Sequence, residues 1–402
     1  MTDTAALTGA FALSTSQYGT VNDSYWAVMA HDICAALGRA GQTCNLVPPI
    51  PPHITALVDA CLKGSGPPDY VVTFNLMPGL NLGGQSVWEL AKLPQTVICL
   101  DHPIHLAQQL SALIPPSGMP ERWIGIMEKE HSHLLHAIGW PADRIFLCPQ
   151  GAPPPRSHRK SYRQGEKTGI VFSGTLTYPL PHQDYCDSIG LTPPHLRAAL
   201  EQAVEQALST EDDIFILAMR LFGEFGLPAV TLVQLTQQID RRARLLRRFR
   251  VLSSLSDFPI TVYGSAEPDV ARQLPHCTFH PGVGWSQMQN LMESARIVVN
   301  DTINLRDAGL IRLFYPMSLG TVVASDVNRM LRTSFTPQRD FIAVGDDRSE
   351  TKATVEQVLH DDTFAQTMAD NALTIFTKGH QWDSHISGLL TALASIQRNR
   401  AL

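Results

Sequence analysis

The sequence predicts an α/β protein made of two Rossmann-type domains, each wound on both faces of a parallel sheet. Three observations point there. Short apolar runs alternate with segments of helical period along most of the chain. The alternation stops at 149–156, which carries Pro149, Pro153, Pro154 and Pro155, and at the basic, polar stretch that follows to 167; it restarts at 169. The chain has 402 residues, 44% of them hydrophobic and 17% charged, enough for two cores and too apolar for disorder.

In the first half, 8–14 reads as a strand and 24 to about 39 as a helix. Asn22 or Asp23 would cap that helix, and Trp26, Met29, Ile33 and Leu37 would form its buried face. Gly41 ends it, and 44–47 is the next strand. The expectation continues with a helix at 53–63, a strand at 70–75, a short helix at 87–93 and a strand at 97–100. A helix within 121–138 and a strand at 144–148 complete this half.

In the second half, strands are expected at 169–172, 260–263, 296–300, 321–324 and 341–344. The segment 192–255 reads as mostly helical with a break at 223–228. Helices at 286–294 and 308–319 lie between strands, and two more, near 350–377 and 383–398, close the chain. The expected domains are 1–155 and 168–380, with 381–402 a terminal helix that packs back on the first.

Composition narrows the class. The formal net charge of -6 argues against a general nucleic-acid binder. Seven scattered cysteines without a C-x-x-C pair suit reduced, buried thiols better than disulfides or zinc. No apolar run nears the roughly 20 residues that span a bilayer, and the N-terminus lacks a basic region of the signal-peptide type. The expected location is cytoplasmic.

In open parallel sheets, ligands bind beyond the carboxyl ends of the strands. Ser173 and Gly174 follow one predicted strand, Gly264 and Ser265 another. His280 and Gly282 precede a helix, Asn300 and Asp301 follow a strand, and Asp307 and Gly309 stand at a helix start. Glycine lets a ligand approach the backbone, and helix N-termini offer N–H groups to phosphate. In the first half, Asp101 and His102 follow a strand and Asp23 precedes a helix. Two have structural alternatives: for His102 a hydrogen-bonded histidine before Pro103, and for Asp23 a helix cap. His131, His133 and His136 lack the H-E-x-x-H order, so a solvated helix face is expected there rather than a metal site.

Residues 279–282, 292–300, 312–320 and 322–326 resemble the donor-binding region of GT-B glycosyltransferases, particularly the CgeB-like group and the related glycosyl transferases group 1 domain. Their patterns are the "fhG-v" turn, the helix ending in "lN", the Arg-Phe-Glu-x-x-x-x-Gly helix and the "v-v-sd" strand. The tail at Gly379, His380, Gln381 and Trp382 resembles that group's terminal helix, and Asp101, His102 and Pro103 resemble its N-domain turn. The resemblance implies two domains facing across a cleft and a nucleotide-sugar donor, UDP- or GDP-linked, held by the second. Arg312 would be the cation on the diphosphate, with Arg306 an unmatched second candidate. An acceptor of unknown class would lie against the first domain.

Where many relatives carry two glutamates eight residues apart, this chain has Asp307 and Tyr315. That departure leaves a catalytically degenerate, nucleotide-binding relative as the alternative. An inverting reaction would need a base, for which Asp101, His102 and Asp23 are the candidates. Without a D-x-D motif, no metal is expected. The run 241–250, from Arg241 to Arg250, reads as an amphipathic helix on the sheet, with peripheral membrane contact as its alternative. The sequence does not define an oligomeric state.

Overall fold

The computed structural model describes residues 8–13, 24–48, 50–64, 66–77, 81–82, 85–114, 121–345 and 347–400. The chain divides into two compact units. One comprises Met1–Pro153 with Gln381–Leu402, the other Pro154–His380.

The first unit holds β1 (Thr8–Ala12), β2 (Thr43–Val47), β3 (Tyr70–Phe74), β4 (Gln95–Ile98), β5 (Arg122–Ile126) and β6 (Ile145–Leu147). They form one all-parallel sheet in the order β2-β1-β3-β4-β5-β6. The central strands are buried on both faces, as parallel strands covered by helices must be. Phe11 and Phe74 pack with ring centroids 4.7 Å apart. The helix Tyr25–Arg39 is capped by Ser24, whose Oγ accepts the Ala27 N–H at 3.3 Å. Asn22 and Asp23 lie outside the described residues.

The helix expected within 121–138 is instead β5 followed by two short helical segments, Lys129–His131 and Ser132–Ala137. All five residues of β5 are buried, and the strand pairs with β4 and β6. A continuous buried run carries no period to separate helix from strand. Two helical segments of the tail, Trp382–His385 and Ser387–Arg400, complete this unit. Trp382 is fully buried, and its backbone N–H donates to the Ala152 carbonyl at 3.1 Å. Arg39 binds Asp383 through both carboxylate oxygens, at 2.6 and 2.7 Å.

The second unit holds β7 (Ile170–Ser173), β8 (Ile260–Tyr263), β9 (Cys277–His280), β10 (Ile297–Asn300), β11 (Val322–Ser325) and β12 (Ile342–Ala343). All pair in parallel, in the order β9-β8-β7-β10-β11-β12. The winding reverses between β7 and β10, which is where such sheets open a ligand crevice. Between β7 and β8 the chain inserts four helices, His182–Ser188, Pro194–Ser209, Ile214–Phe222 and Ala229–Ser254. The sequence reading missed β9, an edge strand whose residues are only partly covered.

The stretch to 167, polar enough to read as linker, is anchored in this unit. Tyr162 is fully buried; its hydroxyl donates to the Arg296 carbonyl at 2.5 Å and accepts the Val322 N–H at 2.8 Å. Lys167 is 1% exposed, and its Nζ donates to the Glu293 carbonyl and to Thr321 Oγ1, each at 2.7 Å.

Candidate functional site

The site is built on the carboxyl edge of the second sheet. Beyond β7 and β8 the two loops zip together: Gly174 N–H donates to the Tyr263 carbonyl at 3.1 Å, and Leu176 N–H to Ser265 at 2.8 Å. A Cβ on Gly264 would lie 2.2 Å from the Gly174 carbonyl oxygen, so backbone meets backbone where only glycine fits. Ser265 Oγ donates to Thr175 Oγ1 at 3.2 Å. On the far side Gly264 N–H reaches the His280 carbonyl at 3.0 Å.

At the reversal point two arginines converge on one carboxylate. Asp301, directly after β10, is fully buried. Arg312 Nη2 lies 2.6 Å from its Oδ1, and Arg248 Nε lies 3.1 Å from its Oδ2. The same guanidinium groups grip the loop after β7: Arg312 Nη1 donates to the Ser173 carbonyl at 2.8 Å, and Arg248 Nη1 to Thr175 at 2.7 Å. Both stand against the Phe172 ring, 5.5 and 5.8 Å from its centroid, within cation–π range. Burial alone would raise the Asp301 carboxyl; Arg312 and Arg248 outweigh it and hold the group below the ordinary carboxylate range.

A second carboxylate, Asp326 after β11, pairs with Arg247 at 3.0 Å and accepts the Thr302 N–H at 2.7 Å and hydroxyl at 2.6 Å. Here burial wins, and the carboxyl sits above its ordinary value despite Arg247 and Thr302. Arg247 and Arg248 are adjacent on the helix Ala229–Ser254, so one turn serves both carboxylates. Further along the same run, Arg242 is buried over the Tyr185 ring at 4.6 Å, and Arg244 binds Asp240 at 2.6 Å. Four arginines of the run, Arg242, Arg244, Arg247 and Arg248, are thus turned onto internal partners, while Arg241 and Arg250 are exposed. Among the described residues, no helix is long and apolar enough to cross one.

The structure therefore gathers Ser173, Gly174, Gly264, Ser265 and Arg312 along one edge. It places the other expected residues differently. His280 is exposed and stacks on Tyr263 at 5.3 Å, and Gly282 has open space around it. Asn300 is 1% exposed and donates to Ser325 Oγ at 2.9 Å, linking β10 to β11. Gly309 lies under Phe314, whose ring a Cβ would meet at 2.5 Å. Asp307 is paired with Arg329, in a group that includes Glu211. Tyr315 is 4% exposed, edge-on to Trp285 at 5.1 Å, with Gln289 Nε2 donating to its hydroxyl. Arg306 is 4% exposed and donates to the carbonyls of Ala207 and Asp212, so it is not a solvated loop charge. Sequence reasoning placed Asp301 after a strand without giving it a role, and did not single out Arg248 for this edge. The basic run was visible, but no local spacing shows that Arg248 meets a residue 53 positions away.

In the first unit, Asp101 and His102 follow β4. His102 is 4% exposed, and its Nδ1 accepts the Ile104 N–H at 3.0 Å. In the neutral ring that bond puts the proton on Nε2, which then donates. His131 packs on His102 at 4.3 Å and is buried beside Glu128 at 3.6 Å, whereas His133 and His136 are exposed. The solvated face expected for all three histidines thus fails for His131. Asp23 lies outside the described residues.

This architecture is the GT-B fold, two Rossmann-type units in tandem, as found in glycosyltransferases. Residues 241–391 match the family described as glycosyl transferase-like. An α-glucosyltransferase, solved with UDP-glucose and DNA containing an abasic site, aligns over 97% of this chain and 99% of its own, at 10% identity and a TM-score of 0.57. Sucrose-phosphate synthase from Thermosynechococcus elongatus aligns over 98% and 100%, at 12% identity and a TM-score of 0.54. HepE from Anabaena, solved with UDP and glucose, aligns over 97% and 100%, at 10% identity and a TM-score of 0.52. No curated protein matches the sequence.

Proposed function

We propose that the protein transfers a sugar from a nucleoside-diphosphate-linked donor, held by the second unit, to an acceptor bound mainly by the first. The observation that carries this reading is the pair of guanidinium groups at the reversal point of a sheet whose segment matches a glycosyl transferase-like family. A departing diphosphate gathers negative charge, and fixed cations in a partly buried site stabilise it in the transition state. Arg312 is the group assigned to that charge, which needs no metal in this scheme. UDP is the first nucleotide to test, since HepE was solved with it.

On the acceptor side, the His102 tautomer favours a hydrogen-bond donor at Nε2 over a base there. Asp101 is then the better candidate for taking the acceptor's proton. The buried Tyr315 supports a second reading, a nucleotide-binding protein without turnover, because no carboxylate stands at its position.

Incubation of the protein with UDP-, GDP- and dTDP-sugars and a broad acceptor panel tests both. Acceptor-dependent release of free nucleotide supports transfer. Nucleotide binding without release from any donor contradicts it and selects the binding-only reading.

A further inference from the structure

We propose that Asp301 is a positioning residue of the donor site, setting Arg312 and Arg248 as a two-pronged clamp selective for a diphosphate over a monophosphate. This rests on the donor-site reading above. The geometry is nearly symmetric about Gly174. One guanidinium donates to Ser173 and the other to Thr175, on either side of the glycine, and each contacts a different oxygen of the same carboxylate.

An arginine on a flexible stem gains specificity from a fixed fork. Here the fork of each is fixed three ways, by a backbone carbonyl, a carboxylate oxygen and the Phe172 face. Among the described residues, Arg248 Nη2 makes no hydrogen bond, which leaves a donor for a phosphoryl oxygen. Two guanidinium charges against one carboxylate leave a net charge of one, so the cluster still attracts an anion. Two fixed prongs suit two phosphoryl groups and give a single phosphoryl group only one of them.

Asp301 acts through the arginines and touches no ligand, so charge and positioning predict opposite signs on its removal. Asp301→Asn raises the local charge by one. If charge alone mattered, diphosphate binding would tighten. If positioning matters, it weakens.

Calorimetric titration of the full chain with UDP, UMP and uridine, and with the guanosine series, separates these. The expected result is that the wild type prefers the diphosphate to the monophosphate by about tenfold or more, the scale of one charge-assisted contact. Asp301→Asn should lose most of that preference while nucleoside affinity stays within about twofold, which a general loss of structure would not spare. Arg248→Lys keeps the charge and most of the packing but loses the fork, and serves should Asp301→Asn not fold. It should lower the diphosphate preference in the same direction. A folded Asp301→Asn or Arg248→Lys with unchanged or tighter diphosphate binding overturns the inference and leaves the donor-site reading standing. No nucleotide binding by the wild type overturns both.

Discussion

Arg312 lies 2.6 Å from the fully buried carboxylate of Asp301 and donates with its other nitrogen to the Ser173 carbonyl. One side chain thus joins the helix Ile311–Ser318 to the ends of β10 and β7, on the two sides of the sheet's reversal. The contacts hold the guanidinium in one place without a ligand, and in the proposed transfer such fixed charges would act on a transition state without reorganising. It also makes the site sensitive to changes some way from Arg312.

Gly264 is one such place. A methyl group there would sit 2.2 Å from the Gly174 carbonyl oxygen and 2.7 Å from its carbonyl carbon, both backbone atoms. Gly264→Ala should destabilise the protein by at least about 2 kcal/mol, the scale of overpacking. Denaturant unfolding checks this; wild-type stability in Gly264→Ala would mean that the loops separate freely.

Lys167 links stability to pH. Burial pushes its ammonium down from an ordinary value of 10.5 to about 7, with Glu293 opposing in part. A neutral amine has two N–H groups, matching the two acceptors at 2.7 Å. Between pH 7 and 10.5 the unfolded chain binds the proton and the folded chain does not, so stability from this group grows as pH rises through that window and is lost as pH falls through 7. Each pH unit adds at most about 1.4 kcal/mol. Unfolding of wild type and Lys167→Met across this range should show a slope in the first that is missing in the second; parallel slopes would contradict the assignment.

Tyr315 separates core from ligand contact. Its hydroxyl accepts from Gln289, and its ring packs on Trp285. Tyr315→Phe should cost about 1 kcal/mol of stability for the lost hydrogen bond and leave nucleotide affinity unchanged. A fall in nucleotide affinity without a fall in stability would return Tyr315 to the site.

The fold was legible because the alternation of apolar runs and helices survives in both halves. It failed where pattern carries little information. Arg122, Trp123, Ile124, Gly125 and Ile126 are buried together and show no period, so the helical residues that follow absorbed them into one expected helix. The site was half legible. Ser173, Gly174, Gly264 and Ser265 could be found because they follow strands. Asp301 also follows a strand, but its meaning depends on Arg248 and Arg312, brought in from two different helices. Asn300, Gly309 and Tyr315 have ligand-type chemistry in the sequence and internal partners in the fold.

The most direct measurement is nucleotide binding by wild type and Arg312→Ala, read as thermal stabilisation over UDP, GDP, dTDP, CMP and their sugars. Stabilisation by a ligand grows with its concentration over the dissociation constant. The account predicts a clear shift of the wild type with a diphosphate nucleotide and a loss of roughly 1.5–3 kcal/mol of binding in folded Arg312→Ala. Equal affinity in the two proteins, or no nucleotide that stabilises the wild type, would contradict it.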